Sequence, residues 1–254
     1  MDDAYLQQFS RHILLDEIGV EGQQAFRDAQ VVVVGAGGLG CPLAQYLVAA
    51  GIGKLTLVDH DVVDLTNLQR QVLHTLGRIG EPKVASAVAA LQQLSQQTEL
   101  VPVAARLDEA LARQLFEAAT VVVDCSDNFQ TRYVVNRMCQ QTRTPLVTGS
   151  AIRFEGQLAV FDFDRQPQPC YYCLFPEGDD VREERCAVTG VFAPLTGVVG
   201  TLLAGEALKL LLHLAGVGVP EFREAFFLRI DARDLNFRRS SIRPDPGCPV
   251  CSTP

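Results

Sequence analysis

Residues 31–40 read VVVVGAGGLG, a run of valines that ends in Gly35-Ala36-Gly37-Gly38-Leu39-Gly40. Glycines at this spacing let a chain turn tightly and bring backbone N–H groups against phosphate oxygens at the start of a helix. Asp59 ends the next apolar run, LTLVD, where a carboxylate can accept hydrogen bonds from ribose hydroxyls. The pair predicts a nucleotide site. NAD is the default ligand of such a loop, and any adenosine phosphate can use the same cradle. The bland alternative is a glycine turn that serves only close packing.

The residues after Asp59 bear on the choice. HDVVDLTNLQRQVLH and GEPK supply Asn67, Gln69, Arg70 and Lys83. Arg grips phosphate oxygens through a planar fork, and Lys acts as a compact, movable charge. Two cations with Mg²⁺ suit a triphosphate that must lose pyrophosphate, and a dehydrogenase has no evident use for them. Taken singly, each also reads as part of a solvated charged loop. VVVDCSDN adds Asp124 and Asp127 at the end of another apolar run. Asp127, followed by Asn128, is the candidate ligand for a hard cation. Asp124 is the candidate turn or helix cap. The histidines (His12, His60, His74, His213) are scattered, and none is assigned a catalytic role.

The start, MDDAYLQQFSRH, carries no export signal, so the eight cysteines are expected to be thiols or metal ligands. Cys170/Cys173 and Cys248/Cys251 form two C-x-x-C pairs, which on converging make a closed tetrahedral zinc site. A redox pair or a disulfide remains open at this point. Cys186, in DDVREERCAVTG between charged residues, is a candidate nucleophile or a loop residue. Cys41, Cys125 and Cys139 lie in apolar runs and are expected to pack.

These residues need a scaffold. Apolar β-branched runs at Val31–Val34, Lys54–Val58, Leu100–Ala104, Thr120–Asp124 and Pro145–Thr148 alternate with helical patterns at Leu39–Ala50, Pro82–Leu94, Glu109–Ala118 and Thr131–Gln141. That alternation predicts an α/β fold, a Rossmann-like, mostly parallel sheet with helices on both faces. After Ser150 the pattern changes to an antiparallel strand at Gln157–Phe163, an irregular segment at Pro167–Arg185, and an apolar helix at Val198–Ala215. A hairpin at Phe226–Asp231 and Asp234–Arg238 follows. The expected organisation is one domain over 1–254, with a nucleotide-binding half at 1–150 and a partner-binding, zinc half at 151–254. Hydrophobic residues at 48% and charged residues at 20% indicate a globular chain, and a net charge of −8 disfavours nucleic acid and anionic membranes. The longest uncharged apolar stretch, Val191–Gly205, is read as interrupted by Pro194 and ended by Glu206, too short to span a membrane. A soluble cytoplasmic protein is expected.

VGAGGLG, DHDVVDLTNLQRQ, EPK, DCSDN, the two C-x-x-C pairs and the opening SRHILL together resemble the ThiF/MoeB/HesA family, bacterial relatives of ubiquitin-activating E1. The likeness covers nearly the whole chain in the family's order. It implies ATP rather than NAD, and adenylation of the C-terminal glycine of a small ubiquitin-like sulfur carrier ending in Gly-Gly, with release of pyrophosphate. It implies that Gly35, Gly37, Gly38, Gly40 and Asp59 hold the nucleotide, and that Asp61, Thr66, Asn67, Leu68, Gln69, Arg70, Lys83 and Asn128 contact it. Asp127 corresponds to the Mg²⁺ ligand, and Cys170, Cys173, Cys248 and Cys251 to a structural Zn²⁺ site. Arg11, in SRHILL, corresponds to an arginine given to the neighbouring subunit's active site, which implies a homodimer. In some relatives the cysteine matching Cys186 forms a covalent link to the carrier, and in others it is dispensable. GSAIRFEGQLAVF and Gln71-Val72-Leu73-His74 resemble the molybdopterin-synthase branch more than the thiamine-pathway branch. No rhodanese domain follows the last cysteine pair, so sulfur is expected from a separate cysteine desulfurase or rhodanese.

Overall fold

The computed structural model describes residues 1–163, 168–177, 189–218 and 224–252. Five parallel strands form the larger part of the sheet: β1 (Gln30–Val34), β2 (Lys54–Val58), β3 (Glu99–Val103), β4 (Val121–Asp124) and β5 (Leu146–Ile152). Three antiparallel strands extend it: β6 (Glu155–Phe161), β7 (Phe226–Asp231) and β8 (Asn236–Ser241). The order is β3-β2-β1-β4-β5-β6-β7-β8, so one sheet runs through both halves of the chain. Val31–Val34 are buried on both faces, which is why β1 reads as an unbroken valine run. Val34 pairs with Val58 and with Asp124, so the carboxyl ends of β1, β2 and β4 finish level. The strand order switches between β1 and β4, with later strands added outward on either side, and that is the point where such sheets open a crevice.

Helices cover both faces as expected. α4 (Gly40–Ala49) and α9 (Ala193–Leu214) pack on one face, with Leu43, Leu47, Val199 and Leu203 in its core. α6 (Glu109–Phe116) and α7 (Phe129–Thr142) pack on the other, with Phe116, Val135 and Cys139 buried beside Phe161 and Cys170. α5 (Lys83–Leu91) crosses from β2 to β3, and α8 (Tyr171–Leu174) is a single turn that follows Cys170 and contains Cys173. Three helices precede the sheet that the sequence reading did not place: α1 (Asp3–Gln8), α2 (Ser10–Ile13) and α3 (Gly19–Asp28). The first two are too short to show a helical period.

Three expectations need correction. β5 continues to Ile152 because β6 pairs with it through Ile152–Glu155, and β8 begins at Asn236, where Arg233 and Leu235 still belong to the turn. Pro194 does not interrupt the apolar stretch; it sits in the first turn of α9, where a missing N–H costs nothing. Glu206 does not end it either, since Lys209 one turn on bonds its carboxylate. α9 therefore runs for 22 residues and is long and apolar enough to cross a membrane by length and composition alone. Here its apolar side lies against α4, β5 and β6, with Leu195, Val199, Leu203, Ala207 and Leu210 buried.

Candidate active site

A cleft of about 370 Å³ opens at the carboxyl ends of β1, β2 and β4. The glycine loop forms its floor. Gly35 takes φ +98°, a conformation that side chains rarely adopt, and a Cβ there would lie 2.8 Å from the Cys125 carbonyl oxygen. A Cβ at Gly40 would fall onto the carbonyl of Gly35, so α4 can start this close to β1 only with glycine. Leu39 offers α4 no side-chain cap, and Gly37, Gly38 and Leu39 line the cleft. Helix-terminal amides left in this way are ready to bind an anion.

Asp59 ties this loop to β2. One carboxylate oxygen accepts the Ala36 N–H at 2.8 Å and the other accepts the Asp61 N–H at 2.8 Å. A carboxylate offers about four lone-pair sites, so capacity for ribose hydroxyls remains. Residues 62–82 then leave the sheet and return, closed by an antiparallel bridge between Val62 and Pro82 and by a Val63 N–H to Glu81 carbonyl bond of 2.9 Å. The closure sets Lys83, the first residue of α5, beside Asp61, with Nζ 2.8 Å from Oδ2. Lys83 is only 6% exposed. Partial burial works against ionisation of Asp61, but the Lys83 hydrogen bond and charge outweigh it, and the carboxyl sits below its ordinary value.

Arg70 lines the cleft beside Gly38 with one guanidinium nitrogen on the Thr66 carbonyl at 3.1 Å, which leaves most of its fork unused. Asp127 is exposed in the same cleft, and its described side-chain contact is with Asn128 Nδ2 at 3.5 Å. Asn128 also lines the cleft, but its oxygen caps α7 by accepting the Thr131 N–H at 2.9 Å. Asp124 is buried and serves the turn, accepting the Ser126 N–H at 2.9 Å and the Thr148 hydroxyl at 3.2 Å.

The cleft thus gathers Gly35, Gly37, Gly38, Asp59, Asp61, Arg70, Lys83, Asp127 and Asn128. Thr66, Asn67, Leu68 and Gln69 do not line it. They lie in or just after a 3₁₀ turn capped by Asp64, whose carboxylate takes the Thr66 N–H and hydroxyl. Arg11 is exposed on α2 and also lies outside the cleft. Cys186 falls outside the described residues.

Three polar residues were missed. Arg106 adds a cation to the cleft rim. Arg132, buried on α7, donates to the Ser126 and Gly149 carbonyls and so pins the Asp124–Asn128 turn to β5. His74, 6% exposed, reaches the Ala36 carbonyl from Nε2 at 3.0 Å and Ser86 Oγ from Nδ1 at 2.9 Å. A carbonyl can only accept, so Nε2 carries the proton and Nδ1 accepts from Ser86. The neutral ring joins the glycine loop to the helix that carries Lys83. His74→Gln is therefore expected to weaken nucleotide binding about tenfold, the worth of roughly one such hydrogen bond, as titration calorimetry would read. Burial, reinforced by Lys83, holds the ring below its ordinary value of 6.5. The unfolded chain thus takes up this proton first, and stability should fall as pH drops below about 6.5. His74→Gln should flatten that slope.

The four paired cysteines converge. Cys170 and Cys248 sulfurs lie 3.7 Å apart, Cys173 and Cys251 sulfurs 3.4 Å, and all four within 4.8 Å of one another. A disulfide requires about 2.05 Å, whereas a tetrahedral zinc with 2.3 Å bonds has sulfur–sulfur edges of about 3.8 Å. The cluster fits zinc. Cys41, Cys125 and Cys139 are buried, and burial pushes the Cys41 thiol up to about 12, so these pack as neutral thiols.

The ThiF family profile matches residues 9–250. The chain is 44% identical over 252 residues to the SAMP-activating enzyme E1 of Haloferax volcanii, covering 99% of this chain and 90% of that protein. It is 42% identical over 254 residues to the molybdopterin-synthase adenylyltransferase of Salmonella typhimurium, covering 99% and 98%. Among solved structures, E. coli MccB with AMPCPP and MccA superposes with a TM-score of 0.82 over 100% of this chain and 75% of that one. At 20% identity, that is a likeness of fold. The chain belongs to the ThiF family.

Proposed function

We propose that this protein adenylates the C-terminal glycine carboxylate of a small ubiquitin-like sulfur carrier, the molybdopterin-synthase small subunit, at the expense of ATP. The observation that carries the reading is a single cleft with an anion-binding glycine loop and Asp59 on one side and Lys83, Arg70 and Asp127 around it. A C-terminal carboxylate, with a pKa near 3.5, is already ionised at pH 7 and needs no general base. Its oxygen attacks the α-phosphorus of ATP, the bond to the β-phosphate oxygen breaks, and pyrophosphate leaves with the electron pair. The chemical burden is charge, since an anion must meet a polyanion. Lys83 and Arg70 would hold phosphate oxygens as negative charge moves to the leaving group, and the loop would fix the α-phosphate in line.

Among the described residues one Asp127 carboxylate oxygen has no hydrogen-bond partner, and it would take Mg²⁺, which when bound would shield the phosphates. The cysteine cluster would hold a structural Zn²⁺ and pin the C-terminal segment to α8. Residues 1–150 would bind the nucleotide, and residues 151–254 would receive the carrier. Arg11, exposed and away from its own cleft, suits a role in the site of a second copy, hence a homodimer. Separate thiols at the cysteine pairs suit a reducing cytoplasm, and a cysteine desulfurase or rhodanese would supply sulfur. The test is pyrophosphate release with Mg-ATP and carriers ending in Gly-Gly, with mass spectrometry of each carrier. AMP on the molybdopterin-pathway carrier is the expected result. ATP bound but AMP on no carrier would overturn the reading.

A further inference from the structure

Residues paired across neighbouring strands form rows on one face of a sheet. One row runs Ser150, Gln157, Arg229, Arg238 across β5, β6, β7 and β8. Ser150 and Gln157 line the cleft, and Arg229 and Arg238 are exposed beyond it. The other face belongs to α9, whose Leu203 and Val199 side chains close on Gly149 and Gly156. The row therefore lies on the face that α9 leaves uncovered. Two residues along β7 on that face, Phe227 meets Phe175 at 5.8 Å between ring centres, and Phe175 lines the cleft.

Arg229 and Arg238 stand directly opposite each other, in a chain of net charge −8. Like charges in that position destabilise a strand pair. The same-face carboxylates of β6 and β7 do not relieve them, because Arg233 takes Asp231 at 2.6 Å and reaches Glu155 at 4.0 Å. Among the described residues neither arginine has a carboxylate partner.

We propose that Arg229 and Arg238 dock carboxylate side chains of the carrier protein whose C-terminus enters the cleft. This rests on the adenylation reading above. From Gln157 to Arg238 is two strand spacings, about 10 Å, or roughly three residues of extended chain. The pair thus meets the carrier where its tail leaves the cleft and its folded body begins. Phe227 and Phe175 supply an apolar contact between the two, so the face pairs an aromatic centre with a cationic rim. Continuity with the cleft is what selects the carrier as occupant over a second copy of this chain.

The test is steady-state pyrophosphate release by R229A/R238A against carrier concentration at low and high salt, with sedimentation and melting of the same variant. The carrier KM should rise at least tenfold, with kcat and the KM for ATP held. Its salt dependence should flatten relative to the unmodified protein, and R229K/R238K should recover most of the loss. Removal of opposed like charges should leave Tm equal or higher, which separates docking from structural support. An unchanged carrier KM in an otherwise active variant overturns the inference. So does an unchanged KM with a shift from dimer to monomer, which would give the pair to an interface between copies. If the unmodified protein transfers AMP to no carrier, the adenylation reading itself has failed, a pattern distinct from either.

Discussion

Lys83→Gln is expected to lower kcat/KM for pyrophosphate release by about 10²–10³-fold, the usual loss when a preorganised donor to a developing anion is removed, about 2.7–4 kcal/mol. The ammonium is nearly buried, begins α5 and lies against Asp61, so it is held at the cleft before any ligand arrives. That preorganisation is what makes it effective, since no side-chain entropy is lost at the moment of reaction. Stability should change little by comparison. The Asp61 side chain is 52% exposed, and water can replace the lost partner. That small difference should vary with pH only in the acid limb. Asp61 titrates below its ordinary 3.8 in the folded protein, so its contribution is complete above that pH and disappears as pH falls through the lower folded value. Without Lys83 that contribution is lost, and melting curves of the two proteins should differ by a roughly constant amount above about pH 4 and converge only below it. A kcat/KM within threefold of the unmodified protein would remove Lys83 from the chemistry.

The cleft's floor was legible because it is local. Gly35 to Gly40 follow one strand and open one helix, and Asp59 ends the strand paired beside it, so spacing alone placed them. The position of Lys83 was legible only as the start of a helix. Its contact with Asp61 depends on a bridge between Val62 and Pro82, twenty residues apart, and no period in the sequence reports such a closure. Thr66 to Gln69 show the converse. Polar side chains in a motif read as ligand contacts, yet a local cap by Asp64 claims Thr66 and turns the stretch away from the cleft lining. Arg132 did leave a signal. It falls on the stripe Arg132, Val135, Asn136, Cys139 that α7 buries, and a charge on a buried stripe must be paired with something. Pro194 misled because a proline inside an apolar run reads as a break, while the same residue in the first turn of a helix marks its start.

Metal removal should have the second large effect, on stability first and activity second. Cys170 stands at the start of the single turn α8 and Cys173 within it, and the same turn carries Tyr171 while Phe175 follows it; both aromatic side chains line the cleft. Tyr171 is further fixed by its N–H to Asn136 Oδ1 at 2.8 Å. The cluster joins residues 78 positions apart in sequence. Treated as a cross-link closing a loop of that length, a bound metal would remove unfolded-state entropy worth about 4.5 kcal/mol. For a domain of this size each kcal/mol moves Tm by about 2–4 °C, so Cys170→Ser/Cys248→Ser or exhaustive chelation should lower Tm by about 9–18 °C. The cleft wall formed by Tyr171 and Phe175 should loosen with it, raising the carrier KM more than the KM for ATP, because the glycine loop and Lys83 sit on elements that the cluster does not touch. One zinc per chain by atomic absorption, lost in step with the melting shift, is the expected result. A Tm within about 2 °C of the unmodified protein after complete metal loss would mean that the hydrophobic packing around Cys170 and Cys248, beside Phe161 and Tyr171, already holds the C-terminal segment without a metal.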